Sequence, residues 1–416
     1  MKRYFLVTLS LIVVLGIIFS GCSSISPAPS SKSLTPSPSA TAAPPASSII
    51  TTQPAMAAPI KIGAIMSLTG EDAVVGAGVK AALDYGLEKA GGQVAGRKIQ
   101  LVAEDDATNP TMGVDKAKKL VNFDKIDVLI GPLHGAVTMG VANFMSSVGV
   151  PEILMMQKSI QAIQFGGKNV FLPFGTHMGT GYYLGAYAYE KKGYKTATAL
   201  FEDFVAGQEF VGGTIAGFEK KGGTVIQKQA IKSGTMDFGP YLTAVQNADC
   251  VFFWFTPATT MKFVAQYYAA GLKMPLFLSL SSVLFAQTMA SVGDKVVGIL
   301  GAGPYTSLLD TPINKSYVDA MSKKYNVLPD AQVVSAEVAL TMYLEAVKAT
   351  NGDTSPAKVN EALRKLKVST PAGSFSFTPE GLGVGDLYIM QTTKTPDRFD
   401  WKVVDTYSQI QLDVPK

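Results

Sequence analysis

The chain is poor in the residues that most often carry catalysis, metal binding or cross-linking. Its 416 residues include two cysteines, Cys22 and Cys250, and two histidines, His134 and His177. No CxxC, HExxH, Walker A or GxSxG pattern occurs, so the sequence predicts no metal site and no cofactor, and it offers few candidates for a nucleophile–base pair. Cys250 lies in an apolar run and is expected to be a buried small hydrophobic residue.

An excess of one charge and a second long apolar run are also missing. The 36 basic and 32 acidic residues leave a net charge of +4, without a basic block or an acidic tail. This balance argues against a nucleic-acid partner. Beyond the N-terminus no run of about twenty apolar residues exists, which argues against a permease.

The N-terminus has the pattern of an export signal. Lys2 and Arg3 precede an apolar stretch from Tyr4 to Phe19, as in a signal peptide. The following Phe19-Ser20-Gly21-Cys22 is similar to the lipobox of bacterial lipoproteins, which implies cleavage of residues 1–21 and a lipid on Cys22. An uncleaved transmembrane anchor is the alternative. Residues 22–59 are mostly Ser, Pro, Ala and Thr, which predicts a disordered linker behind the lipidated cysteine.

Strand and helix patterns alternate through the rest of the chain. Ile60 to Met66 is a short apolar run, typical of a parallel strand covered on both faces. Apolar residues recur at helical spacing from Val75, and Lys98 to Glu104 reads as a second strand. Asn109-Pro110 is the predicted N-cap and first residue of the next helix. Two such series in tandem predict an α/β fold of two doubly wound, Rossmann-like lobes.

Two glycine motifs and one acidic pair could also belong to binding or catalytic sites of other kinds. Gly76 to Ala81 fits the spacing GxGxxA, but too many residues separate it from Met66 for the tight turn of a dinucleotide site. These glycines, like Gly179-Thr180-Gly181, are therefore interpreted as close-packing positions. Asp105-Asp106 is predicted to cap loops, because neighbouring residues at a strand end point in opposite directions.

Three segments resemble one family: SLTGEDAVVGAGVKAALDYGLEKAGG, GRKIQLVAEDDATNP and IDVLIGPLHG. They are similar to the first lobe of branched-chain amino acid ABC-transporter binding proteins, which are periplasmic binding proteins of type I. The resemblance extends to the C-terminus and implies three hinge crossings, here near Phe174, Gly303 and Ile389. It divides the chain into a first lobe, residues 60–174 with 304–388, and a second lobe, residues 175–303 with 389–416. The ligand is then expected in the cleft between the lobes.

The resemblance also implies a set of binding residues, several of which depart from those that the family uses for amino acids. Gly135 stands where a serine is usual, and Gln157-Lys158 replaces Ala-Thr. Ser281 or Ser282 replaces the acid that pairs with an α-ammonium. The predicted ligand-binding residues are Val75, His134, Gly135, Ala136, Met156, Gln157, Lys158, Phe204, Ala206, Trp254, Phe255, Thr256, Ser281 and Ser282.

These departures disfavour a free amino acid, because a buried ammonium without its partner is costly. Lys158, with His134 nearby, is predicted to pair with a carboxylate. An apolar or aromatic body would be surrounded by Met155, Met156, Phe204, Trp254 and Phe255.

Together these features predict a lipid-anchored solute receptor rather than an enzyme. It would lie on the outer face of the cytoplasmic membrane, in the periplasm if the organism has an outer membrane. Its partners would be a small-molecule ligand and the ABC permease of the inner membrane, and its ligand an apolar or aromatic carboxylate or amide. Alternatives are a leucine/isoleucine/valine receptor, a sensor that signals ligand occupancy, and an envelope hydrolase, which would need a nucleophile–base pair in the cleft.

Overall fold

The structure is a computed structural model that describes residues 58–415, apart from residues 71, 281–283 and 285. The predicted signal peptide, Cys22 and the linker up to residue 57 lie outside the described residues, as do Ser281 and Ser282. Within the described ranges, no helix combines the length and apolar character that a membrane crossing requires.

The first sheet is built from the chain up to residue 171. Its elements are β1 (Ile60–Met66), α1 (Ala73–Lys89), β2 (Gln93–Val94), β3 (Arg97–Asp105), α2 (Pro110–Lys119), a π-helical turn (Leu120–Asp124), β4 (Val128–Ile130), α3 (Gly135–Ser146), β5 (Glu152–Ile153), α4 (Gln161–Gly166), a 3₁₀ turn (Gly167–Asn169) and β6 (Val170–Phe171). The strand order is β2-β3-β1-β4-β5-β6. All pairs are parallel except the short β2–β3 hairpin. The central strand β1 is almost entirely buried, as its unbroken apolar run predicts.

The second series begins at residue 177. Its elements are α5 (His177–Glu190), β7 (Thr196–Glu202), α6 (Val205–Lys220), β8 (Thr224–Ile231), α7 (Gly239–Thr243), β9 (Cys250–Trp254), α8 (Pro257–Ala269), β10 (Leu276–Leu278), α9 (Ala286–Val292), a 3₁₀ turn (Gly293–Val296) and β11 (Leu300–Gly303). After this come α10 (Pro312–Tyr325), α11 (Ala331–Ala349), α12 (Pro356–Lys365), β12 (Lys367–Thr370), β13 (Gly373–Phe377), β14 (Gly383–Lys394) and β15 (Phe399–Gln411).

The second sheet has the order β12-β13-β14-β11-β10-β9-β7-β8, and β15 pairs with β14. Strands β7 to β11 run parallel, whereas β14 is antiparallel to β11. Helix α11 returns to the first sheet, where it packs against α1 and β4. The two α/β sheets expected from the sequence are therefore present.

The division of the chain near its C-terminus differs from the prediction. The sequence assigned residues 304–388 to the first lobe and placed the last crossing near Ile389. In the structure β12 and β13 already pair into the second sheet, so the chain enters that sheet at Lys367. Ile389 lies in the middle of β14, where it pairs with Ala302 and Asp405.

Several local predictions are confirmed. Asn109 caps α2, since its side chain accepts a hydrogen bond from the Met112 N–H, and Pro110 is the first helical residue. Cys250 is fully buried, and burial raises the pKa of its thiol. A Cβ atom on Gly76 would lie 1.9 Å from the Ser67 carbonyl oxygen, and one on Gly181 would lie 2.1 Å from that of Phe210. Both motifs are therefore close-packing positions.

The acidic pair at the end of β3 caps loops, as predicted. The Asp105 carboxylate accepts hydrogen bonds from the Leu68 and Ala107 N–H groups, both at 2.8 Å. The Asp106 Oδ1 atom accepts from the Ser67 hydroxyl at 2.7 Å and from the Thr108 N–H at 2.9 Å. The loops that follow β1 and β3 are thus tied together at the carboxyl edge of the first sheet.

Candidate functional site

The segment after β5 makes a sharp turn at the carboxyl edge of the first sheet. Met156 is 7% exposed and has φ = 60°, a conformation that non-glycine residues rarely adopt and that costs about 1–3 kcal/mol. The turn is held from the second lobe, because the Lys158 N–H donates to the Gly175 carbonyl at 3.2 Å and the His177 N–H donates to that of Lys158 at 3.0 Å. Gln157 and Lys158 are therefore fixed beside the first crossing.

Lys158 is a buried cation at this position. Its side chain is 3% exposed, and its Nζ donates a hydrogen bond to the Leu133 carbonyl in the loop after β4. Burial lowers the pKa of the ammonium to about 7, although the carboxylates of Asp72, Asp106 and Glu152 oppose that shift. Both forms of the amine are therefore populated near neutral pH.

Glu152 lies beneath this lysine in β5. Neither of its carboxyl oxygens has a hydrogen-bond partner among the described residues, and the residue is fully buried. Burial raises the pKa of Glu152 well above its ordinary value, against the influence of Lys158. The neutral acid is thus favoured, so Asp72 and Asp106 rather than Glu152 offset the positive charge of Lys158.

A second group of polar side chains joins the two lobes next to Lys158. The His177 Nδ1 atom lies 2.8 Å from Glu209 Oε2, and its Nε2 lies 3.1 Å from the Gln157 carbonyl oxygen. The Ser159 hydroxyl donates to Glu209 Oε1 at 2.6 Å. Burial lowers the pKa of His177, while the Glu209 carboxylate opposes that shift. Burial alone would raise the pKa of Glu209. The hydrogen bonds from His177 and Ser159 outweigh burial, so the pKa of Glu209 lies below its usual value.

The ligand-binding residues predicted from the sequence did not include the His177–Glu209–Ser159 group. Its residues are far apart in the chain, and their position was the available signal: His177 opens the helix directly after the first crossing, and Glu209 lies near the start of α6. Here the imidazole contacts Glu209 and a carbonyl oxygen rather than the Ser159 hydroxyl. The Ser159 hydroxyl and the imidazole are therefore both bonded to Glu209, and the three residues tie α5 and α6 to the turn after β5.

Aromatic rings form a wall on the second lobe. The rings of Phe210 and Trp254 stack at 5.4 Å with an interplanar angle of 21°, and Phe204 lies 5.5 Å from Trp254 on another side. The His177 ring packs on Phe210 at 4.4 Å, which connects this wall to the turn at Gln157. Phe204 is 37% exposed, whereas Trp254 is 5% exposed, so the wall runs from the surface into the protein.

Buried polar atoms without a partner occur on both lobes at these strand ends. Among the described residues they include His134 Nδ1, Gln157 Oε1, Trp254 Nε1 and Asp106 Oδ2. Leaving one such group unpaired costs about 1–3 kcal/mol. The arrangement can therefore accept a ligand that supplies the missing hydrogen bonds.

The remaining predicted ligand-binding residues lie mainly at the starts of helices. Val75 is half-buried in the first turn of α1, Gly135 and Ala136 are exposed at the start of α3, and Ala206 is half-buried in the first turn of α6. The Thr256 N–H donates to Glu202 Oε2 at 2.8 Å. The structure does not bring Phe255 to the aromatic wall.

Phe255 belongs instead to the interior of the second lobe. It is 1% exposed, and its ring lies 5.1 Å from that of Phe238 and 4.9 Å from that of Phe263. No group of three or more His, Cys, Asp or Glu side chains suited to a metal ion occurs within the residues that the structure describes.

Two facing α/β lobes with polar and aromatic residues at their strand ends are the architecture of solute-binding proteins. The chain belongs to the family described as "Periplasmic binding protein", whose sequence model matches residues 59–397. It is a substrate-binding protein of the ABC-transporter type. The solved structures that resemble it are periplasmic binding proteins of type I.

Relatives and solved structures agree with this assignment. A Pseudomonas aeruginosa protein named leucine-, isoleucine-, valine-, threonine-, and alanine-binding protein is 28% identical over 335 residues, which cover 79% of this chain and 88% of that protein. An ABC transporter substrate-binding protein from Sphaerobacter thermophilus is 26% identical, with a TM-score of 0.80 over 85% of this chain and 99% of the other. A Rhodopseudomonas palustris solute-binding protein in complex with 3,4-dihydroxybenzoic acid is 23% identical, with a TM-score of 0.75 over 85% and 98% of the two chains.

Proposed function

We propose that the chain is the extracytoplasmic receptor of an ABC importer and that it captures an apolar or aromatic carboxylate or amide between its lobes by hinge closure. Cys22 carries the lipid that holds it at the outer face of the cytoplasmic membrane. The observation that carries this proposal is a chain of contacts that connects a buried cation on one lobe to an aromatic wall on the other.

The carboxylate end of the ligand is assigned to Lys158 and His134. An ammonium has three N–H donors, and the hydrogen bond that the described residues offer Lys158 Nζ uses one of them, to Leu133. His134 follows Leu133 directly, and its buried Nδ1 atom has no hydrogen-bond partner among the residues that the structure describes. A carboxylate here would form charge-assisted hydrogen bonds, which are about twice as strong as neutral ones.

The body of the ligand is assigned to the aromatic wall of Phe204, Phe210 and Trp254. A further ring stacked on such a wall gains about 0.5–1.5 kcal/mol beyond its area burial. The Rhodopseudomonas palustris neighbour was solved with an aromatic carboxylate, 3,4-dihydroxybenzoic acid, and thereby supports this ligand class.

A branched-chain amino acid is the second candidate, for two reasons. The Pseudomonas aeruginosa relative is named for binding leucine, isoleucine, valine, threonine and alanine. In addition, the buried Asp106 Oδ2 atom near Lys158 has no hydrogen-bond partner in the described part of the chain. A carboxylate oxygen in that state would accept a hydrogen bond from an α-ammonium.

Isothermal titration of the full-length chain in detergent with benzoate, phenylacetate, leucine and valine tests the two candidates. We expect the aromatic acids to bind and the amino acids not to bind. Lys158→Met should weaken benzoate binding by about 10–100-fold, because a hydrogen bond to a charged group contributes about 1.5–3 kcal/mol. Lys192→Ala removes an exposed lysine and should change nothing.

The opposite pattern would identify the amino acid receptor. In that case leucine binds to the unmodified chain, Asp106→Asn abolishes leucine binding, and benzoate gives no heat at any concentration used.

A further inference from the structure

We propose that Trp254 determines specificity by donating a hydrogen bond from its indole N–H to an oxygen acceptor on the ligand, at the end remote from the carboxylate. This inference rests on the proposed function and narrows its ligand class to aromatic carboxylates with an oxygen substituent on the ring. The residue is 5% exposed, and among the described residues its Nε1 atom has no hydrogen-bond partner.

The two tryptophans of the chain differ in this respect. Trp401 is buried to a similar extent, 6% exposed, and its Nε1 donates to the Leu284 carbonyl oxygen at 3.1 Å. The fold thus satisfies one buried indole and leaves the other unsatisfied. An indole N–H is only a donor, so the missing partner of Trp254 must be an acceptor.

The surroundings of Trp254 hold its ring in place. Phe210 stacks on it at 5.4 Å, and Phe204 contacts it at 5.5 Å. Turning the indole toward another acceptor would break both contacts. Trp254 is also the last residue of β9, and ligands of open α/β sheets bind beyond the carboxyl ends of the strands.

The contacts also indicate which end of the ligand Trp254 would meet. Lys158 and Gln157 are adjacent on the first lobe, and the rings of His177 and Phe210 lie between Gln157 and Trp254 in the chain of contacts. A ligand whose carboxylate meets Lys158 therefore presents its opposite end to the indole. For a benzoate, that end is the position para to the carboxylate.

The test compares 4-hydroxybenzoate with 4-methylbenzoate, which has a similar shape but no hydrogen-bond acceptor at the para position. Titration of the full-length chain in detergent should show at least about tenfold tighter binding of the hydroxy acid, the effect of roughly 1.4 kcal/mol for one satisfied buried donor. In Trp254→Phe the ratio of the two affinities should fall to about one, whatever the variant does to the affinity for 4-methylbenzoate itself. Trp401→Phe is the matched control and should keep the full preference.

A second measurement follows the indole signals of the unmodified chain, which either tryptophan variant can assign. The chain has two tryptophans, so its ¹H–¹⁵N spectrum should contain two indole signals, and Trp254→Phe identifies one of them. That signal should move downfield with 4-hydroxybenzoate and not with 4-methylbenzoate. An equal response to both acids, or an undiminished preference in Trp254→Phe, overturns the role of Trp254 alone. Failure of every aromatic carboxylate to bind overturns the proposed function together with it.

Discussion

Lys158 combines burial with a charge that the fold compensates only in part. Its Nζ atom contacts a backbone carbonyl, and the neighbouring Glu152 is held toward its neutral form. Because burial lowers the pKa of Lys158 to about 7, the ligand-free protein gains or loses this charge close to neutral pH. A carboxylate ligand would stabilise the charged form and raise the pKa again.

Ligand affinity should therefore depend on pH above neutrality. Benzoate stays ionised throughout, so above about pH 7 its binding must be accompanied by uptake of a proton onto Lys158. The Kd is expected to rise with pH, approaching tenfold per unit between pH 8 and 9, and to level off below pH 7. Titration calorimetry in two buffers with different ionisation enthalpies would measure both the Kd and the number of protons taken up.

Lys158→Met is the control for this experiment, because its weaker binding should show no pH dependence in the same range. A Kd of the unmodified chain that stays constant from pH 6 to 9 would contradict the assignment of Lys158 to the carboxylate.

At the scale of elements, the spacing between helices α5 and α6 positions the second-lobe half of the site. Helix α5 contributes His177, and α6 contributes Glu209 and Phe210. The helices approach so closely that a Cβ atom on Gly185 would lie 1.9 Å from the Thr214 carbonyl oxygen. No Cβ atom is tolerated at that distance, so the backbone would have to move.

A pair of glycine substitutions tests this contact. Gly185→Ala should destabilise the protein by about 1–3 kcal/mol, the usual cost of overpacking, and should lower the denaturation midpoint in urea. Gly212→Ala lies on α6, where a Cβ atom would meet nothing within 4 Å. That substitution should stabilise the protein by up to about 1 kcal/mol, because alanine is the better helix former. Equal midpoints for the two variants would show that the close approach is not required.

At the scale of the whole molecule, the proposed function gives export and anchoring to the N-terminal residues and ligand capture to the two lobes. Several acyl chains on one cysteine would hold the protein stably at a membrane, whereas one chain alone is marginal. Of the two cysteines, Cys250 is buried in β9.

Cys22→Ser should release the protein from the membrane. Cell fractionation of a bacterial expression host, followed by immunoblotting, is expected to show the unmodified chain in the membrane fraction and the variant's signal moved toward the soluble envelope fraction. Cys250→Ser should remain with the membranes. If Cys22→Ser stays bound there as firmly as the unmodified chain, the N-terminal segment acts as an uncleaved transmembrane anchor.

Local patterns in the sequence were sufficient for much of the architecture. The apolar run of β1, the Asn109 cap and the close-packing glycines all depend on neighbours in the chain or on the two short periodicities of strands and helices. They predicted two α/β sheets with their functional edge at the strand ends. Family resemblance then directed attention to Lys158 on the first lobe and Trp254 on the second as predicted ligand-binding residues.

The tertiary structure alone decided which distant residues meet. Phe255 resembles Trp254 in type and follows it directly, yet it packs against Phe263 in the interior. Ile389, predicted to be a hinge crossing, lies within β14 because that strand pairs with β11 and with β15 on both sides of this residue. The sequence gives the position of His177 and of Glu209 near helix starts, but their contact arises from the approach of two helices. Periodicity is a property of neighbours along the chain, whereas pairing and packing depend on residues that only the folded chain brings together.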